Sequence, residues 1–135
     1  MTKGSYEIYN FGIKGDERGS LIAIEQGHNA PFEIKRVYYI FDTKDGVERG
    51  FHAHINLKQI CIAVKGSCTF VLDDGKKREE IKLTNPNQGL FIEGLIWREM
   101  KNFSPDCVLL VIASEHYDES DYIRDYDKFL KEVKK

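Results

Sequence analysis

No stretch of this 135-residue chain approaches the roughly 18 consecutive apolar residues of a membrane-spanning helix. Met1–Phe11 lacks the charged-then-apolar pattern of a secretory signal. Neither sign of charge is in excess. The chain has 20 Lys and Arg against 22 Asp and Glu, a net charge of −2, and a duplex-binding domain would show a basic surplus. No nucleic-acid partner and no membrane partner is therefore expected. Cysteine is sparse and odd in number. Cys61, Cys68 and Cys107 form no C-x-x-C pair, which argues against a disulfide scaffold and for a reducing, cytoplasmic setting. Repeats, low-complexity tracts and linkers are also missing. Residues 1–135 are accordingly expected to form one domain, long enough to bury a real core.

The composition is that of a globular chain, 41% apolar and 31% charged, with 12% aromatics that are mostly Tyr and Phe and lean toward strands. The pattern is of short segments punctuated by turn signals. Tyr6–Phe11 and Ser20–Gln26 flank a turn at Lys14–Gly19. Ile34–Phe41, Phe51–His54 and Gln59–Lys65 follow. Ser67–Leu72 meets Lys77–Leu83 across Asp73-Asp74-Gly75, a hairpin signal. Gly89–Ile92, Trp97–Lys101 and Val108–Ser114 complete the set. This even spacing predicts an all-β sandwich or barrel. The tail differs: apolar residues from Tyr122 to Val133 recur at three- and four-residue intervals, predicting a short amphipathic helix within Glu119–Lys135, capped by Ser120.

The chemistry-bearing stretch is Arg49-Gly50-Phe51-His52-Ala53-His54, with Gln59 and Gly66 after it. On a strand, His52 and His54 share a face because the side-chain period is two. Two imidazoles inside a barrel either bind a metal or move protons. The stretch resembles the first cupin motif, with Gln59 at the position of its glutamate and Gly66 as its closing glycine. The second motif, Pro-x-Gly-x-x-His, falls on Ile92–Trp97, where Gly94 matches and Trp97 stands at the last histidine. An amide and an indole thus replace two of the four usual ligands. An indole N–H donates only, and two histidines make a weak site for zinc or iron. No metal and no other cofactor is expected, which leaves the pair free for acid–base work.

A narrower resemblance runs through nearly the whole chain. It is carried by Pro31–Ile40, Arg49–His54, Gly89–Ile92, Trp97–Met100, Cys107–Val111 and Ser114–Tyr126. These segments look like the WxcM-type cupins, the dTDP-4-keto-6-deoxyglucose 3,4-ketoisomerases of deoxyaminosugar biosynthesis. The resemblance implies a cupin jelly-roll barrel, a homodimer with exchanged N-terminal strands, a dTDP-linked 4-keto-6-deoxy sugar as substrate and no metal requirement. It implies that His52 carries the proton between sugar carbons 3 and 4, that His54 shuttles or orients, and that Tyr38 is the active-site tyrosine. Only one of Tyr38 and Tyr39 can face the interior.

A diphosphate calls for arginine forks, and Arg49 and then Arg36 are the candidates. Gln59 either hydrogen-bonds the sugar or orients His54. Arg18 and Arg98 fall at positions that, by the resemblance, separate galacto- from gluco-forming members. Arg18 is of the first type and Arg98 of the second, so the product configuration stays open. Lys76-Lys77-Arg78 reads as a solvated face. The polar aromatic tail reads as packing on the outer sheet, with closure of the pocket as its other role. Three alternatives accompany this reading: a 3,5-epimerase of the same nucleotide sugar, a non-catalytic sugar-nucleotide-binding module, and a metal-dependent cupin oxygenase.

Overall fold

The computed structural model describes residues 3–135; Met1 and Thr2 lie outside the described residues. Among the described residues there are twelve strands: β1 (Ser5–Asn10), β2 (Lys14–Asp16), β3 (Gly19–Leu21), β4 (Arg36–Ile40), β5 (Arg49–His54), β6 (Gln59–Lys65), β7 (Cys68–Asp73), β8 (Arg78–Leu83), β9 (Gln88–Glu93), β10 (Trp97–Lys101), β11 (Val108–Ala113) and β12 (Tyr122–Ile123). A 3₁₀ turn at Glu119–Asp121 precedes β12, and one helix, α1 (Tyr126–Val133), follows it. Two five-stranded antiparallel sheets, ordered β1-β9-β6-β11-β4 and β12-β5-β10-β7-β8, face each other, as the jelly-roll expectation requires.

Alternation along the strands fills the space between the sheets. Cys61, Phe70, Leu72, Leu90, Ile92, Ile96, Leu109 and Val111 are among the buried residues of this core. All three cysteines are free and buried. The outer face of the first sheet is covered by the segment after the β2–β3 hairpin. Ile22, Ile24, Ala30, Phe32 and Ile34 lie there against Ile60, Ile62, Phe91 and Ile112. The β7–β8 hairpin forms across Asp74 and Gly75. Asp74 accepts from the amides of Lys76 and Lys77, a local bond that stabilises the turn.

Two local expectations are corrected. Lys14–Asp16 is not a turn but the first arm of a small hairpin with Gly19–Leu21. β1 lies along β9, from Ser5 opposite Glu93 to Asn10 opposite Gln88. The tail helix begins at Tyr126 rather than near Ser120. Asp125 caps it by accepting from the amides of Asp127 and Lys128, while Tyr122 and Ile123 are drawn into strand pairing with His54 and Ala53. Lys76, Lys77 and Arg78 are exposed, as expected, but Arg78 is not idle there. It pairs with buried Asp73 at 3.1 Å and with Glu99 at 3.2 Å, and Tyr126 donates to the same Asp73 carboxylate at 2.6 Å. That cluster ties α1 to the second sheet. Among the described residues no helix is long and apolar enough to cross a membrane.

Candidate active site

β5 is the strand that sets the site. Gly50 and Phe51 both have positive φ, 90° and 58°. Opposite them, Arg98 pairs with His52 but the next residue, Glu99, pairs with Gly50. Phe51 is thus the extra residue of a β-bulge. A left-handed φ costs a residue with a Cβ about 1–2 kcal/mol, and bulges of this kind re-aim side chains. The bulge shifts the alternation by one, so Arg49 and His52 line the same cavity although three residues apart. Glycine is required at position 50, where a Cβ would stand 2.9 Å from the carbonyl oxygen of Arg98.

Beyond the bulge, period-two alternation holds. The His52 and His54 rings meet edge to face with centroids 4.8 Å apart. Tyr122 packs against both, edge-on to His52 at 4.9 Å and tilted to His54 at 4.3 Å between centroids. Burial, reinforced by the Arg98 cation, pushes the His52 imidazole down to about 4 and holds His54 far below the ordinary imidazole value. Both rings are neutral at pH 7. Neutral His54 places its Nδ1 3.1 Å from Asp121 Oδ2. A carboxylate only accepts, so Nδ1 carries the proton and Nε2 is left with its lone pair. Asp121 is itself fixed by the amides of Asn56 at 2.7 Å and Leu57 at 3.3 Å.

Sequence reasoning does not single out Asp121, and it takes Tyr122 only as part of the polar aromatic tail. The available signal was local: Asp118 caps the 3₁₀ turn by accepting from the amide of Ser120, and a capped turn there would end the tail helix early and leave residues 121–123 free to pair.

The residue that faces the histidines from β10 is Arg98, not Trp97, a shift of one position from the motif alignment. Trp97 points outward into the cluster of Leu95, Ile123 and Phe129 and donates its indole N–H to Glu99. Arg98 is 1% exposed. It donates to the Ile96 carbonyl through Nε and Nη2 and to Gln59 Oε1 through Nη1 at 2.5 Å. Gln59 in turn donates from Nε2 to the Tyr38 hydroxyl oxygen at 3.2 Å. Gln59 therefore orients Tyr38 rather than His54. Burial pushes the Tyr38 phenol up to about 12, so it stays protonated. Tyr39, its neighbour, points outward, as strand alternation demands. For a metal the donor set is poor: a buried guanidinium opposite the histidines offers no lone pair and repels a divalent cation.

His52 and Tyr38 line a cavity of about 470 Å³ together with Arg36, Arg49, Met100, Tyr122 and Arg124. Arg36 lies over the Tyr38 ring at 5.2 Å, and its Nε is buried without a hydrogen-bond partner among the described residues. Arg124, another residue of the polar tail, packs over Tyr122 at 4.2 Å and is clamped by both Glu119 oxygens. The tail thus packs on the second sheet and also walls the cavity. Arg18 is not brought to this group. It sits at the tip of the β2–β3 hairpin, 85% exposed and paired with Asp16.

Residues 4–134 match the family described as FdtA: WxcM-like, C-terminal. A curated relative, the TDP-4-oxo-6-deoxy-alpha-D-glucose-3,4-oxoisomerase of Aneurinibacillus thermoaerophilus, is 53% identical over 96% of this chain and 93% of its own length. The chain is similar to the TDP-quinovose 3,4-ketoisomerase WlaRB of Campylobacter jejuni, at 54% identity and TM-score 0.90 over 93% of this chain and 97% of that one. It is also similar to a histidine-to-asparagine variant of the 3,4-ketoisomerase QdtA from Thermoanaerobacterium thermosaccharolyticum, solved in complex with TDP-4-keto-6-deoxyglucose. That match has 43% identity and TM-score 0.93 over 96% of this chain and 94% of that one. With the fold, the histidine pair and these matches in agreement, the chain belongs to the FdtA, WxcM-like C-terminal family of cupins.

Proposed function

We propose that this protein is a 3,4-ketoisomerase that converts TDP-4-keto-6-deoxyglucose into a TDP-3-keto-6-deoxyhexose, acting as a homodimer and without a metal. The ketone at carbon 4 acidifies the proton on carbon 3. His52 takes that proton, and the electron pair moves into a carbon 3–carbon 4 double bond, leaving negative charge on oxygen 4. Tyr38 hydrogen-bonds this oxyanion. The hydroxyl proton of oxygen 3 passes to oxygen 4 by way of His54, whose Nε2 lone pair is kept available by Asp121. His52 then returns its proton to carbon 4, and the ketone stands on carbon 3. One hydrogen has moved between carbons and one between oxygens, with no net oxidation.

The single observation that carries this reading is convergence. Tyr38 from one sheet and His52, His54 and Arg98 from two strands of the other gather in one cluster; His52 and Tyr38 face its cavity, and Arg36, Arg49 and Arg124 stand along the wall. The cations match a nucleoside diphosphate. Of the two arginines tied to product configuration, Arg98 is the one buried beside the histidines, paired across the sheet with His52. The test is incubation with TDP-4-keto-6-deoxyglucose, with the product assigned by NMR. A carbon 3 ketone is expected, and the configuration at carbon 4 is read in the same spectrum. A retained carbon 4 ketone with inverted ring carbons would make the protein an epimerase. TDP binding with no solvent deuterium entering the ring would make it a binding module.

Arg49→Ala is expected to weaken TDP affinity about 10-fold, the loss of one charge-assisted phosphate contact, while kcat at saturation stays within about threefold. Titration calorimetry with TDP checks this, and an unchanged Kd removes Arg49 from the diphosphate.

A further inference from the structure

The hydrogen bonds beneath Tyr38 have a direction. A guanidinium can only donate, so the Gln59 amide must turn its oxygen to Arg98. Its NH₂ group is thereby forced toward Tyr38, 3.2 Å away, where the phenol oxygen accepts. The hydroxyl hydrogen of Tyr38 cannot point back at a donor. It is directed elsewhere, and Tyr38 shares a cavity wall with His52. The chain runs from β10 of one sheet through β6 to β4 of the other. Two of its three members are sealed from water, with Arg98 1% and Gln59 3% exposed. In so dry a setting linked hydrogen bonds polarise one another, and the far end of this chain is a buried cation.

The glutamate of the general cupin motif would act in the opposite sense at position 59. A carboxylate would accept from Arg98 and from Tyr38 together, neutralise the cation and turn the phenol hydrogen inward, leaving lone pairs facing the cavity. We propose that Gln59 is a positioning residue: its amide fixes the Tyr38 hydroxyl as a donor aimed at the oxygen that becomes negative in the enediolate. The amide therefore does not need to touch the sugar, and the glutamine marks a cupin whose site stabilises an anion. This assignment rests on the ketoisomerase reading above.

The experiment compares wild type, Gln59→Glu, Tyr38→Phe and the double variant in turnover of TDP-4-keto-6-deoxyglucose, TDP affinity and thermal unfolding. Gln59→Glu keeps the side-chain shape and gives Arg98 a counterion, so the fold is kept. Expected for it is a fall in kcat of about 10²-fold, the loss typical of one oxyanion donor, with KM and the Kd for TDP within about twofold. Adding Tyr38→Phe to it is expected to cost less than about threefold more, because Tyr38 no longer donates outward. Wild-type kcat in Gln59→Glu, or losses that multiply in the double variant, would overturn the assignment. Should Gln59→Glu not fold, Gln59→Leu with the same double variant is read by the same non-multiplication. Absence of turnover by the wild type in this assay would defeat the ketoisomerase reading itself, a result separable from failure of the Gln59 arm.

Discussion

His52→Asn will lower kcat for TDP-4-keto-6-deoxyglucose by about 10²–10⁴-fold, the usual worth of a positioned general base, while the Kd for TDP stays within about threefold. Asparagine keeps a polar side chain of similar reach but cannot take up a proton at neutral pH. The wall cations Arg36, Arg49 and Arg124 are untouched by the change, so nucleotide binding is retained. His52 Nδ1 is buried with no hydrogen-bond partner among the described residues, so the substitution leaves no side-chain partner of that nitrogen unpaired and the variant should fold. Turnover and TDP titration check both halves. Wild-type kcat would remove His52 as the proton carrier, and lost TDP binding would place it among the nucleotide contacts instead.

The same ring gives a pH signature. Burial and Arg98 hold His52 at about 4 in the free protein. The acid limb of kcat/KM, which reports the free enzyme, is therefore expected well below the ordinary imidazole value near 6.5. A bound diphosphate adds negative charge and favours the imidazolium, so the acid limb of kcat should lie above that of kcat/KM. The stability effect has the matching sign. Because the folded pKa is depressed below the unfolded one, the unfolded chain binds more protons between about 4 and 6.5, and the stability present above pH 6.5 is lost as the pH falls through that window. A kcat/KM limb at 6.5 or higher would mean that the ring is far better solvated than its burial indicates.

Much of the barrel was legible because its signals are local. The Asp74-Gly75 turn, the strand alternation and the His-x-His pair each declare themselves within a few residues, and each appears in the structure. What was hidden depends on distant pairing. The Phe51 bulge exists only relative to β10, and it decides that Arg49 shares a wall with His52. Trp97 and Arg98 differ by one position, and motif spacing chose the wrong one because the register of β10 against β5 is set by that bulge. Asp121 lies 67 residues from His54, and its approach follows from β12 adding to the edge of β5. A two-residue strand carries no periodicity to read. The helix pattern of the tail was real from Tyr126 onward and was extended too far upstream, over residues that pair as strand.

The tail also makes a stability prediction that bears on the site. Phe129→Ala should lower the unfolding free energy by about 3–5 kcal/mol, as expected for deleting a fully buried aromatic ring. Phe129 is 0% exposed and packs with Trp97 and Tyr126, each 5.8 Å away between ring centroids. An eight-residue helix has little stability of its own, so α1 depends on this contact and on the Asp73 cluster. Ile123 of β12 is buried in the same group, and β12 carries Tyr122 against both histidines, directly after Asp121. Loosening the helix should therefore raise KM and lower kcat as well. Chemical denaturation with an unchanged m-value reads the first effect, and limited proteolysis of the tail locates it. A loss below about 1 kcal/mol would mean that β12 is held by its strand pairing with β5, and that the site wall stands without the helix.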